Sequence, residues 1–356
     1  MIYLLTTPDH PCLEDFLAGP GAALAPHVVP LAYPTLFAAR TLPPGTYVFA
    51  DLERLSDAEL ERAAWVWRQL ASGGPAVRLL NPPIRVRQRF ELLRLLHERG
   101  LNDFDVYRLD EGRPPRRFPV FVRGERGHNA VTSALLHDAP ALESFLERRR
   151  AGDRSPGGTI VTEFRGERDG RGLYRRYAAF RVGDRIIPTD IFFGRHWEVR
   201  GLGGEMVVDQ ETVAEETRFL HDHPHEVQLR EVFELAHIDY GRVDYGVVGG
   251  RVQVYEINTN PYIAPRPLGG TLREGLYGHF AREFLAALHA LRGPDGAAPL
   301  TIGAAPTASG QQRLRRWGKR ALYGALWHSG PPPAYARHLR LLRRLVRLGR
   351  RRVGDH

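Results

Sequence analysis

Two carboxylates, two arginines and two asparagines fall within one short stretch of the sequence, GRVDYGVVGGRVQVYEINTNPYIAP, residues 241–265. The runs RVDYGVV and RVQVYEI flank Gly249 and Gly250, a pattern typical of a β-hairpin with a Gly-Gly turn. Strand alternation places Glu256 and Asn258 on one face of the second run. Polar side chains are therefore clustered at the ends of the two hairpin strands, although the turn itself does not require them there.

The polar faces of the two strands are expected to meet in the folded hairpin. Arg242 and Asp244 share a face of the first strand, as Glu256, Asn258 and Asn260 do on the second. Carboxylates this close together need a cation, and a few oxygen ligands of this type suit Mg²⁺ that also holds substrate phosphates. The sequence predicts a metal site here from the residues taken together, although each residue taken singly is better interpreted as a solvated strand end or turn residue.

The elements around the hairpin predict an α+β protein. Strand-like and helix-like runs alternate over residues 1–82, which predicts a small N-terminal α/β domain. Residues 83–292 contain antiparallel strands grouped between helices. The Pro/Gly/Ala/Ser-rich stretch 293–310 is predicted to be a linker, and residues 311–356 are predicted to form a basic amphipathic helical tail.

Composition excludes several classes of protein. A chain of 356 residues with 43% hydrophobic residues has enough apolar surface for two or three folded domains. Cys12 is the lone cysteine, which excludes an internal disulfide and indicates a reducing cytoplasm. The start MIYLLTTPDHP lacks the basic region of a signal peptide, and no run reaches the roughly 18 to 20 apolar residues of a membrane span.

The positive charge of the protein is concentrated in its C-terminal segment. Residues 293–356 contain 13 basic and 2 acidic residues, a formal charge of +11, so the other 292 residues carry −2 within the total of +9. All but one of the 50 basic residues are arginine, Lys319 being the exception. This excess of arginine over lysine indicates a bias in the base composition of the genome. A single arginine is therefore weak evidence for bidentate recognition of an anion.

The basic tail has several possible partners. Its segments QQRLRRWGKRALYGALWH and AYARHLRLLRRLVRLGRRR are amphipathic, with leucines on one face and arginines on the other. They could pack on the protein's own body or on a second subunit of a homodimer, lie peripherally on an anionic membrane, or dock on a partner protein. Few aromatic residues in the last segment argue against nucleic acid. We expect the tail to be dispensable for chemistry and to serve association or localisation.

The order Arg-x-Asp, followed twelve positions after the Asp by Glu-x-Asn-x-x-Pro, resembles the metal-binding end of the ATP-grasp superfamily, which includes D-alanine–D-alanine ligase and glutathione synthetase. The resemblance extends loosely over residues 1–292 and implies an ATP-grasp fold. It implies that Asp244, Glu256 and Asn258 hold the magnesium ions that bridge the ATP phosphates. It also implies that Arg242 stabilises the reacting phosphoryl group.

The same resemblance implies further ATP-binding residues. Arg123 ends the run FPVFVR, where the family has a phosphate-contacting lysine, and Arg89 (or Arg87) lies near the position of an earlier family lysine. Arginine can offset phosphate charge without losing its proton. The segment TIVTEFRGERD resembles the adenine-binding hinge. The resemblance implies that Glu163 and Phe164 lie at the adenine and that Glu167 or Asp169 lies near the ribose or the metal. It also implies that Arg176, in the later run YRRYAAF, points into the same cleft.

The activity implied by the resemblance is that of an ADP-forming ligase, in which Mg-ATP activates a carboxylate as an acyl phosphate that an amine or thiol then attacks. Loop 124–133 would close to exclude water. Two alternatives remain: a phosphotransferase that uses the same ATP site on a hydroxyl or another acceptor, and a non-catalytic ATP-binding protein localised by its tail. The sequence does not name the small-molecule or peptide substrates.

Overall fold

A computed structural model describes most of the chain up to residue 303. Backbone contacts place these residues in one compact unit, 1–305. The basic tail and most of loop 124–133 lie outside the described residues, so the predictions for them stay predictions. No helix in the described part has the length and apolar character needed to cross a bilayer. The described residues are 1–8, 10–109, 111–126, 133–151, 158–200, 205–293 and 298–303.

Helices and strands alternate along the described chain, which confirms the predicted α+β class. The helices are α1 Glu14–Leu17, α2 Tyr33–Ala38, α3 Asp57–Ala71, α4 Arg89–Glu98, α5 Ala139–Ala151, α6 Gln210–Asp222, α7 Glu226–Ala236 and α8 Glu274–Ala290. The strands are β1 Ile2–Thr6, β2 Val28–Ala32, β3 Thr41–Leu42, β4 Gly45–Phe49, β5 Val77–Leu80, β6 Val106–Arg108, β7 Val120–Gly124, β8 Thr159–Glu163, β9 Tyr174–Val182, β10 Arg185–Gly194, β11 Tyr240–Val248, β12 Arg251–Asn258 and β13 Leu300–Thr301.

The first 80 residues form a parallel sheet in the order β2-β1-β4-β5. Parallel strands are buried on both faces, and all five residues of β4 are buried accordingly. Helix α3 begins at a capping box in which Ser56 and Glu59 satisfy each other's backbone N–H groups. All four strands end at the same edge of the sheet, so residues that follow β1 and β4 lie close together.

Two antiparallel sheets form the rest of the described chain. The smaller has the order β6-β8-β7 and shares a core with α5. The larger has the order β10-β9-β11-β12. One face of the larger sheet packs on α6, where Phe219 contacts Tyr177, and the opposite face packs on α8, where Phe284 contacts Phe180. The face that carries Phe180 also carries the candidate site.

Part of the predicted linker belongs to the folded body. β13 pairs with β3, and the backbone N–H of Ile302 donates to the carbonyl of Arg40 at 2.7 Å. Ile302 is 3% exposed and packs in the main hydrophobic core. Residues 298–303 therefore contribute to the fold of the N-terminal region. The predicted domain limits at 82/83 and 292/293 remain predictions.

Ile302→Ala is expected to destabilise the protein by about 2 to 5 kcal/mol, because it removes a buried aliphatic side chain and leaves a cavity. Thr301→Ala, in the same strand but exposed, should change the free energy of unfolding by about 0.5 kcal/mol or less. Chemical denaturation of both variants measures the difference. Equal stabilities would show that the segment after residue 297 does not support the fold.

Candidate functional site

The β11–β12 hairpin brings the predicted cluster together on one face. Gly249 and Gly250 form its turn with φ values of +54° and +76°, a conformation that glycine adopts without strain. In the strand register Arg242 lies opposite Asn258, and Asp244 lies opposite Glu256. Directly opposed residues of an antiparallel pair point to the same face. The hairpin therefore presents two carboxylates, an amide and a guanidinium to one surface.

Glu256 connects the two antiparallel sheets. Its Oε2 accepts hydrogen bonds from Arg89 Nη2 at 2.5 Å and from Arg123 Nη2 at 2.6 Å. Arg123 comes from β7 in the smaller sheet, and Arg89 is the first residue of α4. Burial and the neighbouring charge of Arg89 lower the pKa of Arg123, against the opposing effect of Glu256. Two nearly buried guanidinium groups thus face one carboxylate in the cleft between the sheets.

Asp244 is held by two more arginines. Arg242 Nε donates to Asp244 Oδ1 at 3.0 Å, and Arg176 Nη1 lies 3.6 Å from Asp244 Oδ2. Burial by itself would lower the pKa of Arg242, but the charges of Asp244 and Asp190 outweigh burial and raise it. The cluster therefore contains four arginines, drawn from α4, β7, β9 and β11, which converge on two opposed carboxylates.

The donor atoms fit Mg²⁺ better than a softer metal. Asp244 and Glu256 offer carboxylate oxygens, and Asn258 offers an amide oxygen that also accepts the backbone N–H of Asn260 at 2.9 Å. Within the described ranges, no group of three or more acidic, His or Cys side chains forms a preformed metal centre. A cation at this face would therefore depend on few protein oxygens together with ligand phosphates, which is the usual environment of Mg²⁺.

Phe164 lies in an aromatic group beside the smaller sheet. Its ring makes an edge contact with Trp197, at a centroid distance of 5.4 Å, and with Tyr174 at 6.1 Å. Trp197 also contacts Phe121 of β7 at 5.2 Å. The half-buried rings of Phe164 and Trp197 are flat apolar surfaces against which a planar ring could pack.

The carboxylate of Glu163 is hydrogen-bonded within the fold, and its predicted position at the adenine stays a prediction. The side chain is 4% exposed, and Oε1 accepts the hydroxyl of Tyr107 at 2.8 Å. Oε1 also accepts the backbone N–H groups of Arg116 and Arg117, and Oε2 accepts that of Asp105 at 3.1 Å. These bonds fasten β8 to β6 and to the segment before β7.

Asp169 is not brought to the cluster. Its Oδ1 accepts the backbone N–H groups of Arg171 and Leu173, both at 2.9 Å, and its Oδ2 lies 2.8 Å from Arg175 Nη2. Arg175 precedes Arg176 on β9, so the two side chains leave opposite faces of the sheet. The carboxylate of Asp169 therefore stabilises a turn on the side away from Asp244.

Glu167 was the alternative to Asp169 and Arg87 the alternative to Arg89. Both side chains lie outside the cluster. Glu167 is exposed and accepts the backbone N–H of Gly249 at 2.8 Å, at the far end of the hairpin. The guanidinium of Arg87 donates to the carbonyl of Leu235, at the end of α7. Of the two arginines considered for the earlier phosphate contact, Arg89 is therefore the one that reaches Glu256.

Asp190 belongs to the same face and was not predicted from the sequence. It pairs with Ala178 of β9, and Ala178 pairs with Asp244 on its other side. One row across the sheet therefore reads Asp190, Ala178, Asp244, Glu256. The only signal in the sequence is a lone acid in the apolar run RIIPTDIFF, and strand alternation there does not reveal which face it takes.

A second polar group links the N-terminal sheet to the hairpin. Asp51, fully buried after β4, accepts the backbone N–H and hydroxyl of Thr7 at 2.8 Å each, and its Oδ1 lies 2.6 Å from His10 Nδ1. Asn260 Nδ2 donates to the carbonyl of His10 at 3.2 Å. Ligands of α/β sheets bind beyond the carboxyl ends of the strands. This edge of the parallel sheet thus lies beside Asn258.

Comparison with solved structures finds ATP-grasp ligases among the similar chains. D-alanine–D-alanine ligase from Bacillus anthracis, complexed with ATP, has 15% sequence identity and a TM-score of 0.44 over 81% of this chain and 97% of its own. A RimK-domain ATP-grasp protein from Sphaerobacter thermophilus has 17% identity and a TM-score of 0.42 over 80% of this chain and 100% of its own.

The VanG D-Ala:D-Ser ligase from Enterococcus faecalis has 10% identity and a TM-score of 0.43 over 81% of this chain and 98% of its own. No protein-family model matches the sequence, and no curated protein matches it.

Proposed function

We propose that this protein is an ADP-forming ligase of the ATP-grasp type, which joins a carboxylate to an amine through an acyl phosphate with the help of Mg-ATP. One observation carries the proposal: Asp244 and Glu256 are opposed on one hairpin, and four arginines, from α4 and from both antiparallel sheets, converge on them. Six charged side chains gathered in one cleft serve no evident purpose in a protein without an anionic ligand. A phosphoryl-transfer site, in contrast, uses such a cluster.

The arginines supply positive charge for the phosphate groups. Arg89 and Arg123 lie together where α4 and β7 approach β12, and both are largely buried. Buried guanidinium groups bind phosphate oxygens strongly, because charge-assisted hydrogen bonds are little screened in a cleft. Arg242, with Arg176 beside it, would stabilise the phosphoryl group in transfer.

The carboxylates and the amide oxygen suit the metal. Asp244, Glu256 and Asn258 would hold Mg²⁺, which when bound neutralises the phosphate oxygens and orients them. The ion pairs of both carboxylates with arginines keep these side chains fixed on the site face. The protein's contribution to catalysis is then positioning and electrostatic stabilisation more than covalent chemistry.

The reaction consists of two balanced steps. An oxygen of the substrate carboxylate attacks the γ-phosphorus, and ADP leaves with the electron pair of the broken P–O bond. The amine nitrogen then attacks the acyl carbon, phosphate leaves with the electron pair of the C–O bond, and the nitrogen loses a proton. Water would destroy the acyl phosphate, so the apolar side chains Phe164 and Trp197 would help by excluding it.

A screen of amino acids and other carboxylic acids, offered singly and in pairs with ATP and Mg²⁺, tests the proposal. ADP and phosphate release coupled to a new amide is the expected result. A phosphorylated acceptor with no free phosphate would instead identify a phosphotransferase. Nucleotide binding without ADP formation on any substrate pair would identify a non-catalytic ATP-binding protein.

A further inference from the structure

Asn258 lies at the open end of the β11–β12 hairpin. It is the last residue of β12, and its pair with Arg242 is the terminal pair in the register of the two strands. Its amide oxygen accepts the backbone N–H of Asn260 at 2.9 Å, an Asx turn that ties the side chain to the backbone of residues 258–260. The position of this oxygen therefore depends on what holds the two residues beyond the last strand pair.

Thr259, the first of these residues, is held by the segment that follows β4. Its hydroxyl donates to Glu53 Oε2 at 2.5 Å and accepts the backbone N–H of Leu52 at 3.2 Å. Its backbone N–H donates to Glu53 Oε1 at 3.3 Å. Thr259 is 2% exposed, so these bonds are largely shielded from water. One carboxylate beside the N-terminal sheet therefore takes both donors of the residue next to Asn258.

Asn260, the second of these residues, is held from the same edge of the parallel sheet. It is buried, and its Nδ2 donates to the carbonyl of His10 at 3.2 Å. The Thr259–Glu53 contact joins residues 206 positions apart in the sequence, and the Asn260–His10 contact joins residues 250 positions apart. The chain beyond the hairpin is thus fastened at two points to the carboxyl edge of a different sheet.

The backbone of Asp51 shapes the segment that reaches Thr259. Asp51 has a φ of +55°, in the left-handed region, which is costly for a residue with a side chain. Its buried carboxylate accepts the backbone N–H and the hydroxyl of Thr7, which fix the residue in this conformation. The short helical turn Leu52–Arg54 follows directly. Strained residues held in this way are common beside functional sites.

We propose that Glu53 is a positioning residue for the metal site: by holding Thr259, it fixes the amide oxygen of Asn258 on the face of the hairpin that would bind Mg²⁺. The inference rests on the proposed function and adds a residue of the N-terminal region that the motif does not include. Removal of a group that orients a metal ligand typically weakens metal affinity or activity by about 10- to 100-fold. A merely structural contact would lower stability and leave metal affinity unchanged.

Thr259→Val tests the inference, because it keeps the shape of the side chain and removes the hydroxyl that bonds to Glu53 and Leu52. Thr259→Ser keeps the hydroxyl and is the conservative variant. Glu53→Gln is the second test, since it removes the charge and one of the two acceptor oxygens. Thr271→Val, at an exposed position, is the matched control. Thermal unfolding shows which variants are folded, and either test variant suffices if the other is not.

Two measurements separate positioning from support of the fold. The first is a titration of each variant with Mn²⁺, a paramagnetic substitute for Mg²⁺, in the presence of a non-hydrolysable ATP analogue, followed by electron paramagnetic resonance. The second is the Mg²⁺ dependence of ADP formation, with the carboxylate and amine that give most ADP with the wild type. The first measurement needs no turnover, so it reports on the metal site by itself.

Thr259→Val and Glu53→Gln are expected to bind Mn²⁺ at least about tenfold more weakly than the wild type. They should need correspondingly more Mg²⁺ for the half-maximal rate, with kcat at saturating Mg²⁺ close to that of the wild type, because Asp244, Glu256 and Asn258 are all retained. Thr259→Ser and the control Thr271→Val should match the wild type in both measurements.

An unchanged Mn²⁺ affinity in a folded Thr259→Val or Glu53→Gln would overturn the inference, whatever the loss of stability. A loss in Thr259→Ser equal to that in Thr259→Val would also overturn it, because the hydroxyl would then not be what holds the turn. A wild type that binds Mn²⁺ with the nucleotide but forms no ADP would overturn the proposed ligase function, and the Mn²⁺ titrations would still decide the inference. A wild type that binds no Mn²⁺ with the nucleotide would overturn both.

Discussion

Glu256→Gln is expected to lower the rate of ADP formation by about 10²- to 10³-fold while the protein remains folded, as expected for the loss of one electrostatic stabiliser of a transition state. The change removes one charge from a side chain that faces two arginines and lies opposite Asp244. It keeps an oxygen that can accept one of the two guanidinium bonds. The loss should therefore appear in catalysis more than in folding.

Steady-state ADP release and chemical denaturation, measured on the same preparation, check this expectation. Glu226→Gln, on α7 and paired with Arg230 at 2.7 Å in an i,i+4 arrangement, is the matched control, and exposed pairs of this kind contribute only about 0.3 to 0.5 kcal/mol. It should leave turnover unchanged. Wild-type turnover in Glu256→Gln would remove the hairpin from the proposed mechanism.

Arg123→Ala should weaken ATP binding by about tenfold to 100-fold, because truncation removes a charged donor worth about 1.5 to 3 kcal/mol from a largely buried position. Calorimetric titration with ATP measures the change. The control is Arg117→Ala, an exposed arginine just before β7 whose side chain donates to the carbonyl of Asp103 at 3.0 Å. Unaltered ATP affinity in Arg123→Ala would contradict the phosphate contact.

Arg123→Lys should restore binding at low pH and lose it as the pH rises. Burial and the charge of Arg89 already lower the pKa of Arg123, and the same causes would lower the pKa of a lysine there, whose ordinary value is only about 10.4. The lysine would be charged below its lowered pKa and neutral above it. The loss of ATP affinity with rising pH should therefore begin at a lower pH in this variant than in the wild type.

The site is formed where three parts of the fold meet. Glu256 belongs to the larger antiparallel sheet, Arg123 to the smaller, and Asn260 contacts His10 after the first strand of the parallel sheet. A change in the separation of these parts would alter the distances among the charges. The electrostatic stabilisation available in the cleft therefore depends on how far apart these three parts lie.

The sequence by itself determined the local elements and the motif. Strand alternation and the pair Gly249–Gly250 predicted the hairpin and the common face of Asp244, Glu256 and Asn258, because period-two alternation and turn chemistry are local properties. The resemblance to the ATP-grasp family supplied Arg123 and Arg89 as candidates, and the fold brings both to Glu256.

Only the tertiary structure decided which acids reach the site. Glu163 and Asp169 have the right residue type, but long-range and turn hydrogen bonds take up their carboxylates. Asp190 reaches the site because a bulge inverts the alternation of β10, and such a bulge depends on pairing with β9. Ile302 joins the core from a stretch whose composition predicts a linker. In each case the deciding interaction joins residues far apart in the sequence or depends on the register of strand pairing, so no local pattern records it.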